Sequence, residues 1–422
     1  MVSNKTNHKI DEFIFYLGIF FIPFDNLFFA PSSGWATISP IILFCYVLLN
    51  LRHVSISYKA ILISLVIIIL SLFNYAFYTP TIGGVFDCVS TLCLGITFYL
   101  SIDIFFIKKK NSAKMFLRLI FIAYTIALVY GLISLLKIPI FESFRMHLEK
   151  RYYYSGRLQF TFTEPSFISM HLYGVILPCI IIFKDNVRQI RNLKILLVCY
   201  IIVTCLSGAS ARFFLDTACV FVMFFIKWFI NIKNIKRKMI GMAIGVVALV
   251  AVASIMLRQG RFQSILNLGI YADASLASRF FRINAIIKGF LQDPIHVLFG
   301  FGIGNTSYPF NMGYEEALLE YRNPYLDEII ALRGTTETSF FCGHIRIIAD
   351  IGLVFYILLI LLLWKKTKGS RMLFYLVMYL YIQFDSYSFY TVWLILFYGR
   401  LYKMKINACG TNKIHLMIPE RC

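Results

Sequence analysis

Arg279 and Arg282 stand three residues apart in a stretch, 274–294, whose apolar residues Leu276, Phe280, Ile283, Ile287 and Leu291 recur at helical spacing. That periodicity predicts an amphipathic helix ending before Pro294, with both arginines on one face. Two forked guanidiniums on one face match a phosphate or diphosphate better than two lysines, because each donates two parallel N–H bonds. The same face lying on a bilayer would meet lipid headgroups instead. A third arginine, Arg212, sits in a short Ser- and Ala-rich connection between two apolar runs. A cation held that close to a bilayer faces a protein cavity or a polar partner. Asp216, four residues on, offers an ion pair. A carboxylate occupies only two of the five guanidinium donors, so pairing and anion binding are compatible.

Arg157 and Glu164 are joined by the run Arg-Leu-Gln-Phe-Thr-Phe-Thr-Glu, and Pro165-Ser166 follows at the start of an apolar segment. Proline suits the first turn of a helix, and Glu164 then stands beside the positive end of the helix dipole. It either caps that helix or presents an anion to a substrate. His171 follows about two turns later on roughly the same face. Farther on, His344 stands at the start of another apolar run, where a neutral imidazole could accept a proton from a hydroxyl; packing is the alternative. Arg346 and Asp350 form an i,i+4 pair that satisfies itself. The run Gly300-Phe-Gly-Ile-Gly304 lacks the strand and helix of a dinucleotide site and reads as a tight turn permitting close backbone approach. The acids Glu315, Glu316, Glu320, Asp327 and Glu328 around Tyr321 and Tyr325 suit either sugar recognition or a solvated face.

The elements that must position these residues are membrane helices. Of the 422 residues 59% are hydrophobic, 17% are aromatic and the mean hydropathy is +0.75, outside the soluble globular range. Taking roughly 20 apolar residues per span, about twelve candidate segments run over 13–29, 38–51, 60–77, 85–107, 115–136, 166–183, 195–207, 213–230, 239–257, 345–364, 372–384 and 387–402. The last two are either separate spans or one broken unit around Asp385. Net charge is +20, and it lies in alternate short connections: Lys108, Lys109, Lys110 and Lys114; Lys184, Arg188, Arg191 and Lys194; Lys233, Lys236, Arg237 and Lys238; Lys365, Lys366, Lys368 and Arg371. This is the positive-inside pattern. It predicts cytoplasmic termini and two outer loops, 137–165 and 258–343, in a chain that is otherwise one integral membrane domain, 1–422. Attraction to anionic lipid accounts for the basic inner face and leaves no need for nucleic acid. The ten cysteines lie mostly in apolar segments without a Cys-x-x-Cys pair, and Cys342 alone approaches the outer face, so an external disulfide framework is not expected. The first apolar run lacks a small-residue cleavage site and reads as a retained helix.

Taken together, the dozen spans, the large outer loop before a late helix, Arg157-x6-Glu164-Pro-Ser, Arg212, the Ser275-x-x-Ser278-Arg279 helix leading to Gly300-Phe-Gly, and His344 before a Gly352-containing span resemble an O-antigen polymerase of the Wzy type. The resemblance implies an all-α, GT-C-like polytopic bundle of about twelve helices, with a large helical extracytoplasmic loop before the tenth span, in the bacterial inner membrane. It implies an enzyme, without cofactor or metal, that transfers a growing glycan from undecaprenyl diphosphate onto another lipid-linked repeat unit at the outer face. Donor and acceptor lipids, membrane lipids and a chain-length regulator would be its partners. Arg212 and Arg279 match the family's arginine positions and are expected to hold the diphosphate, with Arg157 and Arg282 as further ligands. His344 falls where related ligases carry a functional His, although Ile345 replaces the Asn that often follows; Glu164 is the alternative base or acceptor-orienting group. An O-antigen ligase would share fold and arginines. A lipid-linked oligosaccharide flippase would instead place charges along a central path and keep its loops short.

Overall fold

The computed structural model describes residues 2–28, 38–151, 158–207, 210–231, 235–257, 260–269, 273–321, 326–335 and 341–410. Helices follow one another throughout. In chain order they are α1 (Val2–Phe20), α2 (Ser39–Leu49), α3 (Tyr58–Asn74), α4 (Ile82–Asp103), α5 (Ala113–Leu135), α6 (Pro139–Leu148), α7 (Phe167–His171), α8 (Leu177–Ile182), α9 (Val187–Leu206) and α10 (Ala211–Asn231). Then come α11 (Ile235–Leu257), α12 (Gly260–Leu268), α13 (Ala274–Gln292), α14 (Pro294–Phe299), α15 (Ser307–Glu320), α16 (Leu326–Ile330), α17 (Gly343–Lys366), α18 (Arg371–Leu380) and α19 (Tyr390–Gly410). Among the described residues the only β pairing is an isolated bridge between Leu27 and Glu149.

Among the described residues, five helical stretches, Ile82–Lys108, Ala113–Leu135, Val187–Leu206, Arg212–Ile230 and Gly343–Lys366, are long and apolar enough to cross a membrane. Ser39–Leu49, Tyr58–Asn74, Phe167–Ile182 and Arg371–Leu380 are apolar but shorter. The chain is therefore an all-helical, multi-pass membrane protein. Along α3 the apolar side chains of Ile61, Leu62, Leu65, Ile69 and Leu72 point outward, a face suited to hydrocarbon and not to water.

Several of the segments expected as spans are interrupted: that over 13–29 leaves the helix after Phe20, and that over 345–364 kinks at Gly352. Over 166–183, α7 passes through a π turn, Leu172–Ile176, into α8. Pro178 has no N–H to give the carbonyl four residues back, and that carbonyl, on Gly174, instead accepts the Thr391 hydroxyl at 2.6 Å. Gly174 also lets Phe389 close in, since a Cβ there would lie 2.7 Å from its ring. Over 372–402, α18 ends at Leu380 and α19 begins at Tyr390, so the break falls around Asp385.

The main core is built largely from aromatic and aliphatic side chains of the bundle, among them Phe15, Phe105, Tyr124, Phe162, Tyr200 and Tyr390. The long loop has a second core of its own. Ala277, Phe281, Ala285 and Ile286 of α13 pack on Phe310, Tyr314 and Ala317 of α15. Gly289 and Gly313 bring the two backbones together: a Cβ at Gly289 would meet the Pro309 carbonyl at 1.9 Å, and one at Gly313 the Ala285 carbonyl at 2.0 Å. The Asp273 side chain caps α13 by accepting from Leu276 N at 2.8 Å.

Candidate functional site

The stretch 378–389, from the last turn of α18 through the unwound link to α19, is where the polar groups of separate elements meet. Buried on one side of it is Asp216 of α10, whose carboxylate accepts from Tyr379 Oη at 2.7 Å, Gln383 Nε2 at 2.7 Å and the Ser169 hydroxyl. Arg212, one turn before it on α10, has its Nε 3.6 Å from Asp216 Oδ2, beyond hydrogen-bond distance. Its Nη2 meets the Met170 thioether at 2.9 Å, and its Nε has no hydrogen-bond partner among the described residues. A guanidinium 8% exposed thus lies beside a carboxylate already engaged by three other donors.

On the other side of the segment lies Arg346 of α17. Its Nη2 donates to Asp87 Oδ2 at 2.8 Å and its Nη1 to the Asp385 carbonyl at 3.1 Å, while its Nε is 3.6 Å from Asp350 Oδ2. The guanidinium also lies over the Tyr387 ring. Asp350 in turn accepts from Gly304 N (3.0 Å), Thr306 Oγ1 (3.0 Å) and Tyr387 Oη (2.7 Å). This arginine is held by oxygens of two other elements, and its carboxylate accepts from three donors.

The Asp385 side chain accepts from Phe341 N at 3.1 Å. Phe341 has φ +58, a left-handed conformation costly for a bulky residue, and that bond helps to hold it. Over its ring lie the guanidiniums of both Arg279 and Arg282, 4.9 and 5.0 Å from the centroid. The two arginines therefore share a face, as their spacing predicts. Burial pulls Arg282 below the ordinary arginine range, against the opposing field of Asp385.

Glu164 donates nothing but receives much: Oε1 accepts from Arg151 Nη1 at 2.6 Å and Oε2 from the Ser166 hydroxyl at 3.1 Å, and its charge is felt at Arg212. Its carboxylate is about one third exposed, at 32%. Arg157, expected beside it, lies outside the described residues, as do Tyr325 and Arg258. His171 does not join this group. It is fully buried, stacked on Phe162, with Nε2 3.2 Å from Asp25 Oδ2 and Nδ1 2.9 Å from Tyr124 Oη.

His344 has both ring nitrogens engaged. Nε2 is 2.8 Å from the Met378 carbonyl and must be the donor there, so in the neutral ring Nδ1 accepts from Tyr356 Oη at 3.0 Å. Its lone pair points to a phenol, and the ring fastens the last turn of α18 to α17. A substrate hydroxyl would have to displace Tyr356 to reach it.

The glycine run is a structural joint. Gly300 and Gly352 have φ +89 and +85; a Cβ on Gly352 would meet the Leu298 carbonyl at 2.4 Å, and one on Gly300 the Asp350 carbonyl at 2.7 Å. The loop enters a kink in α17, where Phe301 N donates to the Ala349 carbonyl at 2.7 Å. From the other side, Asn74 Nδ2 and Tyr75 Oη each donate at 2.7 Å to the carbonyls of Gly300 and Ile303. Nearby, Asp293 caps α14, accepting from His296 N (3.2 Å), His296 Nδ1 (2.7 Å) and the Tyr78 hydroxyl. Burial alone would raise the Asp293 carboxyl, but these donors hold it below the ordinary value; burial and the same bond push Tyr78 up to about 12. The acids of the loop form a solvated face: Lys288 joins Glu316 (3.2 Å) and Glu320 (2.7 Å), and Arg333 Nε donates to Glu315 at 2.7 Å.

Asp385, Gln383, Tyr379 and Asp87 were not singled out as binding groups by sequence reasoning. The available signal was an acid and an amide inside an otherwise apolar C-terminal run, since intramembrane polar residues seldom lack a task. Among the described residues no group of three or more His, Cys, Asp or Glu side chains is placed to hold a metal ion. Comparison of the chain with protein-family models, with curated proteins and with solved structures gives no match in any of the three.

Proposed function

We propose that this protein is a polytopic membrane glycosyltransferase of the O-antigen polymerase type, built from about twelve spans in a GT-C-like bundle with its termini in the cytoplasm. It moves a growing glycan from undecaprenyl diphosphate onto the terminal sugar of another lipid-linked repeat at the outer face of the bacterial inner membrane. The observation that carries the reading is Arg212: a buried guanidinium whose Nε lacks a hydrogen-bond partner among the described residues, next to a carboxylate spent on other donors. A buried cation so placed favours an anion as its complement.

Undecaprenyl diphosphate is already a good leaving group, so catalysis needs cations where negative charge develops and a group to orient the acceptor hydroxyl. Arg212 takes the first role in the bundle, and Arg279 with Arg282 takes it from the outer loop, with Arg157 as a further ligand. The partly exposed Glu164 carboxylate is the group that orients the acceptor or receives its proton; His344 positions the last turn of α18. The residues require no metal or cofactor for these steps.

Deletion of the gene tests the reading. A cell without a polymerase exports and ligates single repeats, giving lipid A core capped by one unit. Bare core in the deletion strain, with long lipid-linked polymer accumulating, would assign a ligase; bare core with repeats trapped inside would assign a flippase. The purified enzyme should also lengthen synthetic undecaprenyl-diphosphate repeats in the presence of chelator.

A further inference from the structure

Near their N-terminal ends α5 and α9 flank a hollow of about 100 Å³, lined by Leu117, Arg118 and Phe121 of the first and Arg188, Gln189 and Asn192 of the second. That is well below the ~300–1,000 Å³ of sites for whole small molecules, yet room for one tetrahedral oxyanion. Leu117 is buried, whereas both arginines are exposed. Two guanidiniums and two carboxamides thus bring many N–H donors to one place. None of these four side chains has a hydrogen bond or an ion pair among the described residues. Their own helices offer no counter-charge, because neither α5 nor α9 contains an Asp or Glu. The acid three residues before Arg188, Asp185, is held by Lys405 at 2.6 Å. Two cations lining one hollow repel each other, and an anion between them replaces that repulsion with attraction. The hollow also stands at a boundary. One turn further along each helix the outward side chains become apolar, with Ile122 and Ile126 on α5 and Ile195 and Val198 on α9 all exposed. Before each helix lie the basic connections that carry Lys110, Lys114 and Lys184.

We propose that this hollow seats the phosphate of one anionic phospholipid between the Arg118 and Arg188 forks, with the Gln189 and Asn192 amides beside it and the acyl chains along the apolar faces of α5 and α9. A guanidinium fork donates two parallel N–H bonds to phosphate oxygens, and two forks from different helices fix the group in place. A free phosphate would meet the same donors but leave Ile122, Ile126, Ile195 and Val198 uncovered; the lipid satisfies both parts of the surface. Basic pockets between membrane helices select anionic over zwitterionic headgroups. The phosphate also ties α5 to α9 where no protein ion pair does so. The site shares no residue with the proposed diphosphate ligands, and its occupation does not depend on the glycosyltransferase reading.

Native mass spectrometry of the full-length protein in neutral detergent tests the site, with phosphatidylglycerol, phosphatidylcholine of the same chains and inorganic phosphate as probes. One phosphatidylglycerol should be retained about tenfold or more in preference to phosphatidylcholine, and inorganic phosphate should not displace it. Arg118→Gln combined with Arg188→Gln should erase that preference. Lys365→Gln combined with Lys368→Gln removes the same charge from another basic connection and should leave the preference intact. Arg118→Lys combined with Arg188→Lys keeps the charge but not the forks, and should lower the preference several-fold. Melting curves in the same detergent separate lost binding from misfolding, and the lysine pair, with its charge unchanged, still decides the matter if the glutamine pair melts early. Equal retention of the two phospholipids by the wild type would overturn the proposal. So would displacement by inorganic phosphate, loss of the preference in the Lys365 and Lys368 variant, or an undiminished preference in the lysine pair.

Discussion

Arg212–Asp216 and Arg346–Asp350 are the same sequence motif, an arginine and an aspartate one turn apart in an apolar helix, and both pairs stand 3.6 Å apart. They differ in what else reaches the arginine. Arg346 is clamped by Asp87 and the Asp385 carbonyl and covered by Tyr387, whereas Arg212 meets a thioether and leaves Nε without a hydrogen bond among the described residues. A guanidinium clamped by oxygens from two other elements holds helices together. One with donors to spare in a low-dielectric layer is prepared for a ligand. The pairing alone does not separate a structural arginine from a binding one; the count of remaining donors does.

The largest expected effect is on the clamp. Arg346→Ala strands Asp350 and Asp87 without their cation and should destabilise the protein by about 3–5 kcal/mol. Little folded protein should then accumulate in the membrane, and what does should melt early when followed with a thiol-reactive dye that reads exposure of the buried Cys88 and Cys179. A wild-type melting curve for Arg346→Ala would show that the two pairs are equivalent. Gly352→Ala attacks the same region through the backbone: with φ +85 and a Cβ 2.4 Å from a carbonyl, it should cost about 3 kcal/mol in the same assay.

Arg212→Lys should behave in the opposite way. Removing the fork should lower polymerisation on the order of a hundredfold or more, while the melting temperature moves far less than for Arg346→Ala. Arg279→Lys should also impair activity, and more than Arg261→Ala, because Arg279 shares the Phe341 face with Arg282. Full glycan length from either lysine variant at equal expression would remove diphosphate recognition by a guanidinium fork.

The smallest effect concerns the joint between the long loop and the bundle. Asp293 is held below its ordinary value of 3.8 in the fold, so its contribution is present above that pH and is lost as pH falls through the lowered value. Asp293→Asn should therefore melt below the wild type by a few degrees at neutral pH, and the gap should close once the pH falls below the lowered value of the Asp293 carboxyl. A gap unchanged by acid would mean that the caps on α14 and the Tyr78 contact work without the charge.

Much of this was legible in the residues themselves. Apolar runs and their lengths determine that the chain is helical and crosses a membrane, because hydrocarbon requires every backbone N–H and C=O to be satisfied within the segment. The i+3 spacing of Arg279 and Arg282 put them on one face, and the i+4 spacing of both Arg–Asp pairs brought each pair together, because helix geometry is local. Sequence alone does not decide whether 372–384 and 387–402 are two spans or one unit broken around Asp385. What the periodicity did not contain is anything that depends on a partner far along the chain. Gly300 enters a kink at Gly352, Asp87 finds Arg346, Met378 takes the His344 proton and Tyr379 reaches Asp216, and none of these pairs is close enough in sequence for a local rule. Sequence determined which groups were ionic, which faces they shared and that they had to sit in a bilayer. Tertiary structure alone decided which arginine is clamped by oxygens of other elements and which meets a thioether instead, because those partners come from far along the chain.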